Sequence, residues 1–121
     1  MKEISLKKLM ELYVDTLSKC GTYLLSEDDK VVEYNIFEEF DIGIISFFHI
    51  DNLQRLNDAG LISIDLVYRS STLRELVMEL QRSEEWNINA VRNSPKWRNV
   101  LDLADEIKKC LGDFKNNYSP N

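Results

Sequence analysis

The residue types most often used in catalysis and metal binding are few in this chain and lie far apart. His49 is the single histidine, so a two-histidine metal site is excluded and a nucleophile–histidine relay has few routes. Cys20 and Cys110 lack Cys-x-x-Cys spacing, no serine lies in a Gly-x-Ser-x-Gly turn, and no glycine-rich phosphate loop is present. The sequence therefore predicts a protein without catalytic activity, bound metal or cofactor.

Acidic residues carry the strongest chemical signal in the sequence. The 121 residues include 21 acids and 15 bases, a net charge of −6. Residues 27–41 contain seven acids and one base, which also sum to −6, so the remainder of the chain is neutral. Such a segment creates a local negative field that repels phosphate backbones and attracts basic proteins. The alternative is a solvated acidic surface that only keeps the protein soluble.

Aromatic and aliphatic residues lie between the acids of this segment. If Ile36, Phe37 and Phe40 face the core, helical geometry directs the neighbouring carboxylates towards solvent. Aromatic anchors beside a charged surface are typical of protein-binding sites. We therefore predict a partner-binding surface formed by Glu33, Tyr34, Glu38, Glu39 and Asp41.

A second window, residues 86–98, combines three bases with two tryptophans and contains no acid. Aromatic residues interleaved with bases can form a stacking surface for nucleic acid. The bases Arg92, Lys96 and Arg98 are few for a phosphate track, however. We expect Trp86 and Trp97 to pack in the core and therefore disfavour nucleic-acid binding.

Apolar residues at steps of three and four predict helices along most of the chain. Ser5 is the expected N-cap of the first helix, and Asp51 that of a short helix ending at Gly60. A longer helix begins at Ser63 or at Thr72, so one helix or two remain possible in this region.

The last predicted helix has the clearest local signals. Ser94 is the expected N-cap, Pro95 the first helical residue and Gly112 the stop, with Lys108 and Lys109 in the final turn, where cations suit the helix dipole. We therefore assign one helical domain to residues 1–112 and a frayed tail to residues 113–121.

Two stretches suit a strand as well as a helix: residues 31–36 alternate, and Ile42–Ile50 is continuously apolar. We expect Ile42–Ile50 to be core in either conformation. We predict an all-α single-domain bundle of about five helices, with an α+β domain containing a small hairpin as the alternative. The expected core comprises Leu9, Tyr13, Leu17, Phe37, Phe40, Leu53, Leu56, Leu73, Val77, Leu101, Ala104 and Ile107.

The sequence also indicates where the protein resides. Charged residues interrupt the N-terminal apolar positions before the hydrophobic region of a signal peptide could form. The apolar window Ile42–Ile50 is shorter than the roughly 20 residues that a membrane helix needs. We therefore expect a cytoplasmic protein without a membrane segment.

The short acidic domain and two segments, FHIDNLQRLNDAGLIS (residues 48–63) and WNINAVRNSPKWRNVLDLADEIKKCL (residues 86–111), resemble small immunity proteins of bacterial contact-dependent growth inhibition and polymorphic toxin systems. The resemblance implies a cytoplasmic, non-enzymatic inhibitor that binds one cognate toxin domain, commonly a nuclease, at its active site or an exosite. Two alternatives remain: a regulatory adaptor that binds a basic host protein through the same face, and a weak nucleic-acid-binding regulator.

Overall fold

The computed structural model describes the backbone of residues 4–118 and the side chains of residues 4–115. These residues form helices and turns without a strand, so the predicted all-α class is confirmed and the hairpin alternative is wrong. The elements in chain order are α1 (Leu6–Ser18), a 3₁₀ turn (Thr22–Ser26), α2 (Asp29–Val32), a π-helical segment (Glu33–Phe40), α3 (Asp41–Ser46), α4 (Ile50–Asp58), α5 (Ile64–Gln81), α6 (Ile88–Asn93) and α7 (Pro95–Tyr118).

Helix α2, the π-helical segment and α3 form one continuous helix, residues 29–46, which we call the acidic helix. The backbone is right-handed helical at both junctions, at Val32–Glu33 and at Phe40–Asp41. Asp28 caps its start, because the carboxylate accepts a hydrogen bond from the Val31 N–H at 3.0 Å. When the acidic helix is counted as one helix, the described residues form six helices, close to the predicted five.

The acidic helix buries one residue in every four. An α-helix has 3.6 residues per turn, so a four-residue step overshoots a full turn by about 40°, and three steps would turn the row by about 120° away from the core. Wider π-type hydrogen bonds, such as the one from the Asp41 N–H to the Ile36 carbonyl, correct this drift. The completely buried residues of the row are Val32, Ile36, Phe40 and Ile44.

The core is enclosed by the acidic helix, α1, α4, α5 and α7. Helix α5 packs against α7 and α4, while α1 packs against α3 and α4. Tyr13 connects α1 to the turn before α4 and to α5. Its ring stacks on Phe48, with ring centroids 4.8 Å apart, and its hydroxyl lies 2.8 Å from Ser70 Oγ. All of the predicted core residues are buried except Phe37, which is half-buried at the edge of the core.

The structure corrects one predicted helix start and decides between the two alternatives for another. Helix α4 is capped by His49 rather than Asp51, because His49 Nδ1 accepts a hydrogen bond from the Asp51 N–H at 3.1 Å. Helix α5 begins after Ser63 and continues through Thr72, so this region is one helix. The predicted turn at Gly60 is present, and its φ of 77° is a conformation that favours glycine.

The prediction that the last helix ends at Gly112 is wrong. Helix α7 begins at Pro95 as predicted but continues through Gly112 to Tyr118. Leu111 is buried and Phe114 packs against the core, so tertiary contacts on both sides of the glycine favour continuation of the helix. The predicted tail is therefore helical at residues 113–118, and residues 119–121 lie outside the described residues.

The apolar window Ile42–Ile50 is not uniformly core. Gly43, Ile44 and Phe48 are buried, but Ile42 is 62% exposed and Ile50 is 47% exposed. The window folds as the end of the acidic helix, a turn and the start of α4, and a helix directs consecutive side chains to different sides. None of the described helices has the length and apolar character needed to span a bilayer.

Candidate partner-binding surface

The four-residue repeat of the acidic helix also defines a row of outward-facing residues. Midway between the buried positions lie Tyr34, Glu38, Ile42 and Ser46, all of which are exposed. Tyr34 is 50% exposed, and Ile42 is among the most exposed large apolar residues of the described chain. We call this set the outer row. It presents an aromatic, a carboxylate and an aliphatic side chain along one line.

A second row flanks the outer row on the side of α5 and α6. Asp29 pairs with Arg92 on α6, with its Oδ1 2.7 Å from Nη2. Phe37 meets the Trp86 ring edge-to-face, with centroids 5.0 Å apart. Glu33 lies between these two residues in the same row and is exposed.

Asp41 belongs to the same row and is not a free surface carboxylate. It accepts a hydrogen bond from the Gln81 side-chain amide on α5. Partial burial raises the pKa of Asp41, and the Gln81 hydrogen bond opposes that shift only in part. The ionised form of Asp41 is therefore less favourable here than in water.

The opposite flank of the outer row faces the 3₁₀ turn and α1. Asn35 donates a hydrogen bond to the Tyr23 hydroxyl at 3.1 Å, and Gly43 lies against Thr16. Asn35, Glu39 and Gly43 form a third row with the same four-residue repeat. Glu39, in the middle of this row, is half-buried.

The structure thus brings together only part of the predicted site. Glu33, Tyr34 and Glu38 share the solvent-facing side of the acidic helix, whereas Glu39 and Asp41 lie on opposite flanks and are half-buried. We expected helical geometry to expose Glu38, Glu39 and Asp41. Of these three acids, only Glu38 is exposed. The candidate surface is therefore centred on the outer row and Glu33.

Charge pairing distinguishes this surface from part of the remaining acidic surface, although other exposed acids such as Glu11 and Asp113 also have no cationic partner among the described residues. Asp15, Asp65, Asp102 and Asp105 each have a cationic partner three or four residues away along the chain. Among the described residues, no cation pairs with Glu33, Glu38 or Glu39. These carboxylates are consequently available to an external cation.

The basic window has the opposite character, because each of its bases faces an acid. Besides the Arg92 pair, Lys96 lies 3.9 Å from Glu85 and Arg98 lies 3.1 Å from Asp102. Trp97 is buried, and its Nε1 donates to the Glu85 carbonyl at 2.6 Å. Each of these bases would have to exchange its acidic partner for a phosphate in order to contact nucleic acid.

Trp86 differs from the expected core residue because it is half-buried and lines a surface pocket. The pocket has a volume of about 400 Å³ and lies at the junction of the acidic helix and the turn before α6. Its lining residues are Glu33, Phe37, Trp86, Asn87 and Ile88. Sequence reasoning missed this site because its residues come from two segments whose proximity no local pattern reveals.

The residues considered first for chemistry occupy structural positions. His49 is exposed and caps α4, while Cys20 is buried, and burial raises the pKa of its thiol. The described residues contain no group of three or more His, Cys, Asp or Glu side chains placed to hold a metal ion.

Comparisons with protein families, with curated proteins and with solved structures gave no match.

Proposed function

We propose that this chain is an immunity protein that binds a cognate bacterial toxin domain, a basic nuclease, through the outer row and Glu33. The observation that carries the proposal is the combination of unpaired carboxylates at Glu33 and Glu38 with the exposed side chains of Tyr34 and Ile42. Carboxylates accelerate encounter with a basic cleft, and the desolvated apolar anchors slow dissociation. Stoichiometric inhibition needs no catalytic group on the inhibitor.

The proposed surface suits a nuclease cleft for an electrostatic reason. A cleft that attracts nucleic acid concentrates positive potential where the phosphates bind. A helix that presents carboxylates and an aromatic ring can occupy such a cleft or its margin. Binding through this surface is compatible with inhibition at the active site and with inhibition at an exosite.

The test first asks whether the neighbouring gene encodes a toxin domain, as the proposal predicts, and then co-expresses that domain with this chain in bacteria. We expect the unaltered chain to protect and the Glu33→Lys/Glu38→Lys variant to fail, with slower association and faster dissociation from the purified toxin domain. The matched control is Glu11→Lys/Asp113→Lys, which makes the same change in net charge at exposed residues of α1 and α7. Full protection by Glu33→Lys/Glu38→Lys would reject the surface, and loss of protection by both variants would assign the effect to net charge alone.

The regulatory-adaptor alternative uses the same acidic surface with a basic protein other than a toxin. It predicts that the neighbouring gene encodes no toxin and that the chain protects against none. Gene context and the co-expression assay together separate the two functions.

A further inference from the structure

The pocket beside Glu33 has the composition of a receptor for one cationic side chain. Phe37 and Trp86 supply aromatic walls, Ile88 supplies an apolar wall, and Glu33 supplies a carboxylate. Aromatic rings attract cations through their quadrupoles, and a nearby carboxylate adds a charged hydrogen-bond acceptor. We propose that this pocket receives an arginine or lysine side chain of the partner, an inference that rests on the proposed function and specifies how the partner is recognised.

Asn87, the other polar residue of the pocket, is already committed to structure. Its Oδ1 accepts a hydrogen bond from the Ala90 N–H at 2.8 Å and so caps α6, while its Nδ2 donates to the Glu84 carbonyl at 3.0 Å. Glu33 is therefore the single ionic group of the lining, and it has no cationic partner among the described residues.

The aromatic walls are held in place before any partner binds. Trp86 contacts Phe37 edge-to-face at 5.0 Å and Trp97 at 5.6 Å. Trp97 is buried and anchors the adjoining turn through its hydrogen bond to the Glu85 carbonyl. Because the walls are fixed by core contacts, binding a side chain costs little reorganisation.

Two cations lie near Glu33: Arg92 on α6, and Lys30 one turn earlier on the acidic helix. Arg92 lies next along this flank, but its guanidinium is engaged by Asp29 Oδ1 at 2.7 Å and by the Glu27 carbonyl at 2.8 Å. The Asp29 carboxylate offsets the charge of Arg92, and water screens the charge of Lys30 because its side chain is exposed. The pocket also adjoins the outer row, because Glu33 and Tyr34 are consecutive on the acidic helix.

The experiment titrates the full chain with the capped peptide acetyl-Gly-Arg-Gly-amide and follows both indole N–H signals by NMR. Citrulline and norleucine peptides of the same length are the neutral polar and apolar controls. We expect the arginine peptide to shift the Trp86 signal saturably and the Trp97 signal less, because Trp97 is buried. Glu33→Gln should weaken arginine binding by roughly threefold, the scale of an exposed charge contact, whereas Glu38→Gln should not.

Three results would overturn the pocket assignment: an unmoved Trp86 signal, equal shifts by the control peptides, or unchanged affinity in Glu33→Gln. Because no toxin is used, the result is independent of the proposed function. Arginine binding without toxin protection would reject the immunity function and retain the pocket. Conversely, full protection by a folded Trp86→Leu variant, together with loss of protection in Glu33→Lys/Glu38→Lys, would reject the pocket and retain the function.

Discussion

At the residue scale, Gly43 fixes how closely the acidic helix approaches α1. A Cβ added at this position would overlap the Thr16 side chain and lie 2.6 Å from its Cγ2. Thr16 is buried, and its hydroxyl is held by a hydrogen bond to the Leu12 carbonyl at 2.7 Å, so it has little freedom to move aside. The absence of a side chain at Gly43 therefore allows the two helices to touch and orients the outer row towards solvent.

We expect Gly43→Ala to lower the free energy of unfolding by about 1–3 kcal/mol, the usual cost of overpacking a core contact. Gly112→Ala is the matched control, because it also replaces a helical glycine but has open space around the added Cβ. That control should gain up to about 1 kcal/mol from helix propensity. Urea unfolding measures both changes, and equal stability of the two variants would contradict the close contact at Thr16.

At the element scale, the acidic helix depends on a register that neither a regular α-helix nor local propensity supplies. Its buried positions recur every four residues, and the π-helical segment keeps them on one side. The same repeat leaves Tyr34, Glu38 and Ile42 together on the other side. The candidate surface is thus a consequence of how this helix is wound.

Substitutions two positions apart test this register. Phe40 is fully buried, so Phe40→Ala should cost about 3–5 kcal/mol of unfolding free energy. Ile42 is 62% exposed, so Ile42→Ala should change it by no more than about 0.5 kcal/mol. Thermal and urea unfolding followed by circular dichroism measure both. A cost at Ile42 as large as that at Phe40 would show that the outer row is wrongly assigned.

At the scale of the whole molecule, Asp105 joins segments from opposite ends of the chain. It lies on α7 and accepts hydrogen bonds from the Thr22 hydroxyl at 2.6 Å and the Thr22 N–H at 3.3 Å. Lys108, one helical turn away, donates to the Cys20 carbonyl at 2.7 Å. These contacts secure the connection between α1 and the acidic helix against the long C-terminal helix.

We expect Asp105→Ala to cost about 1–3 kcal/mol, because it leaves part-buried donors of Thr22 without an acceptor. Asp102→Ala is the matched control on the same helix, since it removes only an exposed pair with Arg98, worth at most about 1 kcal/mol. Urea unfolding measures the loss, and amide hydrogen exchange should show faster exchange at Thr22 in Asp105→Ala alone. Equal effects of the two substitutions would show that the contact between Asp105 and Thr22 does not stabilise the fold.

The sequence by itself determined the helical class, most of the core and several helix boundaries. Ser5, Ser63 and Pro95 start their helices as predicted, because capping and proline geometry act within a few residues. Apolar spacing identified the buried sides of α1, α4, α5 and α7 for the same local reason. The acidic segment was evident from charge alone, and with it two of the exposed carboxylates, Glu33 and Glu38.

Only the tertiary structure decided which acids face solvent and what stands beside them. The π-type winding that separates Glu38 from Asp41 is maintained by burial of one row against the core, and Gln81 engages Asp41 from 40 positions away along the chain. Trp86 reaches Phe37 across a comparable separation, and the pocket beside Glu33 exists only because of that contact. Local sequence patterns act over a few residues, whereas these contacts depend on how whole helices pack.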